Sequence, residues 1–421
     1  MTSVARFTIL VLFALASASG LFARDGLDPL FATIPFDQWL KQKQQTPMHW
    51  TLSISAPALS AHQRLGVVLD AQVDGLELAR RRGEGKLLVL AQLTDGKNRT
   101  WQNHVETDLE HVEEGIKSNN VIFSQSFFVL PGDYRVAVAV FDPASGEHNV
   151  IQRTLHIAPL QNDPLPDLWR DLPPVEFFTP EPVPDRWFLP SVEGRLRLPV
   201  ESRHPTEVSL LVNLTPAERF TSSSRVQNRN LGAIVPSTKV LSEADWHNAK
   251  LSIELLDLSR RRVAFRQDDM QLFHWADARG ALTETNTGTI DVKELANRRL
   301  SADFFLNQIA QKIQVPAAVG KSSRALIILS ASVFFEPGVE LHPIAVAPQP
   351  GVTVFYVRFQ EVQAPARLPA NPDLIPPPRR LLPQDQLEPL LRPLAPRLFD
   401  VSTPLEFRRA LAAILAQIAN L

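Results

Sequence analysis

The side chains able to do covalent or metal chemistry are present in this chain, but their spacing does not assemble a reaction. Ten histidines are scattered along 421 residues. None stands in His-x-x-His or His-Glu-x-x-His, the spacings that turn two imidazoles toward one ion. His274 beside Trp275 and His247 beside Trp246 read as helix-surface or partly buried histidines. The absence of cysteine removes thiol catalysis, disulfides and a lipid-modified cysteine together. There is no Gly-x-Ser-x-Gly elbow and no phosphate loop, and Gly83-Glu84-Gly85 falls between expected strands rather than before a helix. Glu113-Glu114 and Asp268-Asp269 are adjacent acids, a spacing of solvated turns that does not set two carboxylates across a cleft. The expectation is a protein that is not an enzyme and uses no cofactor and no metal.

Charge and targeting narrow the setting. A formal net charge of −2 supplies no polycationic field for nucleic acid. The runs Arg80-Arg81-Arg82 and Arg260-Arg261-Arg262 are read as solvated turns between strands. Residues 1–20 have the form of an export signal: Arg6, the apolar "FTILVLFAL", then the small residues of "ASASG". The apolar run is shorter than the ~20 residues needed to span a bilayer, and no later segment reaches that length. The chain is therefore expected to be secreted or periplasmic, with no membrane span after signal cleavage.

Two kinds of periodicity divide the remainder. Residues 45–158 carry short alternating or apolar runs, among them "WTLSISA", "LGVVLDAQV", "KLLVLAQL", "VIFSQSFFVL" and "YRVAVAVFD", separated by turn residues. This is the size and rhythm of an immunoglobulin-like β-sandwich. Tyr134 opens a strand that places Val136, Val138 and Val140 on its own face, as in a tyrosine corner, where the phenol bonds a nearby backbone carbonyl. Residues 159–194 hold nine prolines together with Trp169, Phe177, Phe178, Trp187 and Phe188. Proline excludes helix and central strand, while large aromatics are unfavourable in water, so an extended connector pinned to one or both neighbours is expected.

From 195 to 421 the strands become continuously apolar and alternate with helical spacing, which predicts an α/β Rossmann-like domain. "EVSLLVNL" is its first buried strand, "KLSIELLDL" and "RVAFRQ" form a hairpin, and "RALIILSA" and "VTVFYVRFQ" are further buried strands. A helix is predicted over "SADFFLNQIAQKI", and another from Thr403, with Pro404 at its first position and Glu406 completing a capping box. A proline-rich tract, 364–397, is set aside as an insertion.

This order of elements, with the closing segment "PRLFDVSTPLEFRRALAAILAQI", resembles the von Willebrand factor A-type (vWA) domains of exported bacterial proteins. The resemblance implies that three loops meet at the C-terminal ends of the strands. In metal-binding members these loops supply Asp-x-Ser-x-Ser, a threonine and an aspartate to a divalent cation. Here the matching positions are Asn213, Thr215 and Ala217, then Thr287 or Thr289, then Ser330 and Ser332. Both expected aspartates are absent and Ala217 has no donor, while magnesium ordinarily needs a carboxylate. Rescue would require Asp257, Asp291 or the Asp268-Asp269 pair to reach the site. The resemblance thus implies a degenerate metal site and a contact surface spanning Asn213–Phe220, Thr287–Thr289 and Ser330–Glu336. Phe335 is expected in the core. The expected function is a non-enzymatic protein-binding or scaffold role toward a protein partner or a cell-envelope component. The alternatives are metal-dependent adhesion, or a hydrolase with an accessory β-sandwich.

Overall fold

The computed structural model describes residues 26–42, 48–83, 85–110, 116–117, 119–178, 192–215, 224–270, 273, 277–281, 298–314, 323–335, 340–346, 351–360 and 385–421. For 224–230, 298 and 299 it describes the backbone alone. The export signal, Glu113-Glu114, Trp187, Phe188, Ala217, His274-Trp275, Thr287, Thr289 and Asp291 lie outside the described residues.

The N-terminal strands form two antiparallel sheets. One has the order β1 (Trp50–Ile54), β3 (Leu65–Asp74), β6 (Asn120–Val129), β9 (Val175–Phe177), with β2 (Ala58–Leu59) beside β3. The other runs β5 (Thr100–Asp108), β4 (Lys86–Asp95), β7 (Gly132–Phe141), β8 (His148–Ile157). Strict alternation in β3 turns Val67, Leu69, Ala71 and Val73 inward, where they share a core with Val89, Ala91, Val136 and Val138 of the second sheet. Strand β4 is different, because every residue after Lys86 is buried. Its second face is covered by residues 26–42, whose Phe31, Phe36 and Trp39 pack on Leu88, Leu90 and Ala139. That cover is tied down by His104 Nδ1 against the Asp28 carboxylate and by Trp39 stacked on His148 at 4.1 Å between centroids.

Helix α1 (Phe36–Trp39) belongs to this cover, and helix α2 (Gly75–Arg80) follows β3 directly. Asp74 caps α2 by accepting from Leu76 N at 2.8 Å. A side chain at Gly75 would collide with the carbonyls of Ile116 and Asn119, at 1.9 and 2.2 Å, so the chain turns here only with glycine. Arg81, expected to be solvated, is instead buried and ion-paired to Glu77, Asp142 and Glu147. Arg81 meets an acid of its own helix and two of the β7–β8 turn, which a run of arginines does not reveal.

Tyr134 donates its hydroxyl to Leu130 O at 3.0 Å, and its valine neighbours lie in the core, as the strand pattern predicts. Burial pushes its phenol up to about 12. Tyr134→Phe is expected to lower the unfolding free energy by about 1 kcal/mol, the worth of one such bond. Urea denaturation would show it as a shifted midpoint with an unchanged slope.

The described part of the connector, 159–178, packs on the first sheets and on the segment leading into the next one. Phe177 packs on Phe127 and Phe178 on Phe128. Leu168, Trp169 and Leu172 are buried in a cluster continuous with Leu196, Leu198 and the following sheet.

That sheet is mixed, with order β12-β11-β10-β13-β14-β15. Its strands are β10 (Pro199–Asn213), β11 (Asp245–Asp257), β12 (Arg262–Met270), β13 (Ser323–Ala331), β14 (Val352–Phe359) and β15 (Arg397–Val401). All pairs are parallel except β11 with the edge strand β12. From β10 the chain steps outward to β11 and β12, then returns to β13 on the other side of β10. Ligands of open α/β sheets gather at such a reversal, outside the C-terminal ends of the strands. Helices α3 (Ser224–Ser242) and α6 (Pro404–Ala419) cover one face, with Ile234, Leu411 and Ile414 on Leu210, Ile327 and Phe355. Helices α4 (Arg298–Gln314) and α5 (Leu387–Leu391) cover the other, with Phe305, Ile309 and Leu390 on Leu211, Ile328 and Tyr356. The described end of the presumed insertion, 385–397, is therefore part of a core and of the sheet. Leucines between its prolines do the packing.

Candidate functional site

The C-terminal ends of β10, β11 and β13 bring together Asn213, Asp257 and Ser330, all buried. Parallel pairing sets this geometry, since Asn213 lies opposite Leu256 and Val212 opposite Leu329. Asn213 Nδ2 donates to Ser330 Oγ at 2.9 Å, and Asn213 Oδ1 accepts from Thr215 N at 3.0 Å. Ser330 Oγ in turn donates to Ala331 O at 2.7 Å. Thr215 Oγ1 accepts from Leu258 N at 2.8 Å and donates to Asp257 Oδ1 at 3.4 Å. Ser332 follows, half-buried and just beyond β13. Thus Asn213, Thr215 and Ser330 are joined in one network with Asp257, whereas Ala217, Thr287 and Thr289 lie outside the described residues.

Asp257 belongs to this network, and its charge is also engaged by arginines. Oδ2 lies 3.3 Å from Arg260 Nη1 and 3.7 Å from Arg262 Nε. Oδ1 accepts from Arg260 N at 3.2 Å. Asp268 and Asp269 are on β12, ion-paired to Arg266 and Lys250. A divalent cation placed between Asn213, Thr215 and Ser330 would meet oxygens already engaged in hydrogen bonds, with guanidinium groups beyond them. Neutral oxygens do not repay its dehydration. The described residues do not fit the ion. Among the described residues no group of three histidines, aspartates or glutamates is arranged to hold a metal. The sequence held a cue to this arrangement: an acid closing the apolar strand "LSIELLD", followed at once by "LSRRR".

A second buried carboxylate organises the neighbouring strand ends. Asp385 accepts from Val333 N at 2.8 Å, Tyr356 hydroxyl at 3.0 Å, and Leu387 N, Glu388 N and Arg358 Nη1 at 3.3 Å. Burial, then the Asp385 charge, hold the Tyr356 phenol well above its ordinary range. Arg358 also meets Glu388 and Asp400. Phe335 lies in the adjoining core, consistent with its expected role, while Phe334 is only partly buried. Sequence reading missed Asp385 because it stands inside a proline-rich tract.

At the opposite end of the strands a cleft of about 250 Å³ is lined by Glu207, Lys250, Asp269, Lys312 and Arg324 among others. Its charges are matched within the protein: Lys250 with Asp269, Arg324 with Glu207, and Lys312 with Glu254.

No family model matches this chain, and no curated protein matches it.

Proposed function

We propose that this is an exported, non-enzymatic binding or scaffold protein, built from an immunoglobulin-like sandwich and a vWA-like, Rossmann-like domain that engages a protein without a metal ion. Support for the second fold is the strand order β12-β11-β10-β13-β14-β15, one antiparallel edge on a parallel sheet. The observation that carries the metal-free reading is the direct bond from Asn213 to Ser330, which engages two of the positions that would have to ligate a cation with each other. Arginines hold the adjacent Asp257. Metal-dependent adhesion has one observation in its favour, the approach of Thr215 to Asp257.

The contact surface is tested by crosslinking capture from envelope and secreted fractions, with partners identified by mass spectrometry. Ser332→Arg should block the strand ends and abolish specific capture. Thr154→Arg, on the exposed side of β8, should leave capture intact. Equal capture by both variants would refute this surface.

A further inference from the structure

We infer that the N-terminal sheets and the mixed sheet are clamped in a single orientation by two buried arginines, each closed on an acid of the segment between them. Halves of a chain joined by a connector ordinarily move relative to one another unless a large, apolar interface holds them. Here one continuous buried cluster runs from Val67 and Leu69 through Leu168, Trp169 and Leu172 to Leu198, Leu210 and Leu411. Arg408 of α6 is fully buried and meets Asp163 of the connector through Nε and Nη2, at 2.6 and 2.7 Å. Arg64, in the turn between β2 and β3, is 4% exposed and meets Glu176 of β9 at 2.6 Å. Its guanidinium lies 4.5 Å over the Phe128 ring. Glu176 also accepts from Gly194 N at 2.9 Å, where the chain approaches β10.

Gln63 joins the two arrangements. It is fully buried with a φ of 60°, a backbone that a residue with a side chain holds only where its surroundings over-determine it. Those surroundings come from the connector and from α6. Gln63 O accepts from Trp169 Nε1 at 2.6 Å and from Arg408 Nη1 at 3.4 Å, while its Nε2 donates to Pro404 O at 3.0 Å. A swing of one half against the other would break these bonds and strand a guanidinium in a dry interior, where an unpaired charge is strongly unfavourable. Side chains, rather than the length of the connector, fix the orientation. This goes beyond the proposed binding role: a partner that touches both halves meets them at one geometry, whichever faces it uses.

The test is the distance between two nitroxide labels, read by pulsed electron paramagnetic resonance on the full chain at pH 7. The chain has no cysteine, so Thr154→Cys on β8 and Ala413→Cys on α6, both exposed, place one label on each half. One narrow distance is expected. Arg408→Met should add further distances while the circular dichroism of the folded chain is retained. Gln63→Ala, which removes the side-chain tie to Pro404, should broaden the distance less. Lys86→Gln, which breaks an exposed ion pair with Glu106, should leave it unchanged. A broad or two-peaked distance in the labelled chain without these substitutions, or a narrow one kept in folded Arg408→Met, would overturn the clamp. If Arg408→Met does not fold, Gln63→Ala decides, and a width equal to that of the unsubstituted chain overturns it. Partner capture at the strand ends is read separately, so failure of one reading is distinguishable from failure of the other.

Discussion

Arg408→Met is expected to lower the unfolding free energy by about 3–5 kcal/mol, the usual cost of leaving one member of a buried ion pair alone. Arg408 projects from α6, where a helix-surface arginine would ordinarily be solvated, yet it is fully buried. Its Nε and Nη2 meet the two Asp163 oxygens at 2.6 and 2.7 Å. Nη2 also donates to Leu165 O at 2.9 Å, and the guanidinium lies 4.6 Å over the Trp169 ring. Trp169 Nε1 in turn donates to Gln63 O at 2.6 Å, and Gln63 Nε2 to Pro404 O at 3.0 Å. One side chain thus locks the connector, the β2–β3 turn and the last helix together. Methionine fills similar volume and supplies none of these bonds.

The pH dependence follows with a definite sign. Burial raises the Asp163 pKa, but hydrogen bonds from Arg408 and Leu165 N bring it below the ordinary aspartate value. A depressed carboxylate contributes stability above its unfolded pKa of about 4, and loses it as pH falls through the folded value. The native chain should therefore lose this contribution in the acid range below about pH 4. Arg408→Met should show no such loss, and Arg408→Met with Asp163→Asn should recover part of the deficit at pH 7. Urea denaturation at pH 7 and pH 3 measures both effects.

Asp385→Ala is expected to cost about 3 kcal/mol or more, because it strands several donors at once in a dry interior. The carboxylate joins the segment after β13, the phenol on β14 and the start of α5. Tyr356→Phe removes one of those donors and should cost about 1 kcal/mol. Asp385→Asn keeps the shape but not the charge. Its cost should lie between the two, since Arg358 retains Glu388 and Asp400 as partners. A ranking of Ala, Asn and Tyr356→Phe in that order, by thermal or urea unfolding, distinguishes a charged hub from ordinary packing.

Periodicity made much of this architecture readable. The alternating strands of the first half, the hairpin β11–β12, the apolar strands β13 and β14, and the capping box of α6 all follow from local chemistry. Helix α3 was not legible, because Pro236 stands inside it and breaks the helical pattern. Residues 26–42 were also missed as a cover; the clue was the unbroken apolar run of β4, which demands something on its second face. Strand β15 and helix α5 were hidden among prolines, in a tract whose leucines pack the second core. At the strand ends, Asn213, Thr215 and Ser330 could be placed from sequence through a family resemblance. The role of Asp257 could not, since its commitment to arginines depends on how tightly the turn closes.

The most direct test of the account is calorimetric titration of the purified chain with manganese at neutral pH, after exhaustive chelation. An oxygen cluster bonded to itself and flanked by arginines should give no saturable heat up to millimolar ion. One ion bound per chain at micromolar affinity, and lost in Thr215→Ala, would contradict it.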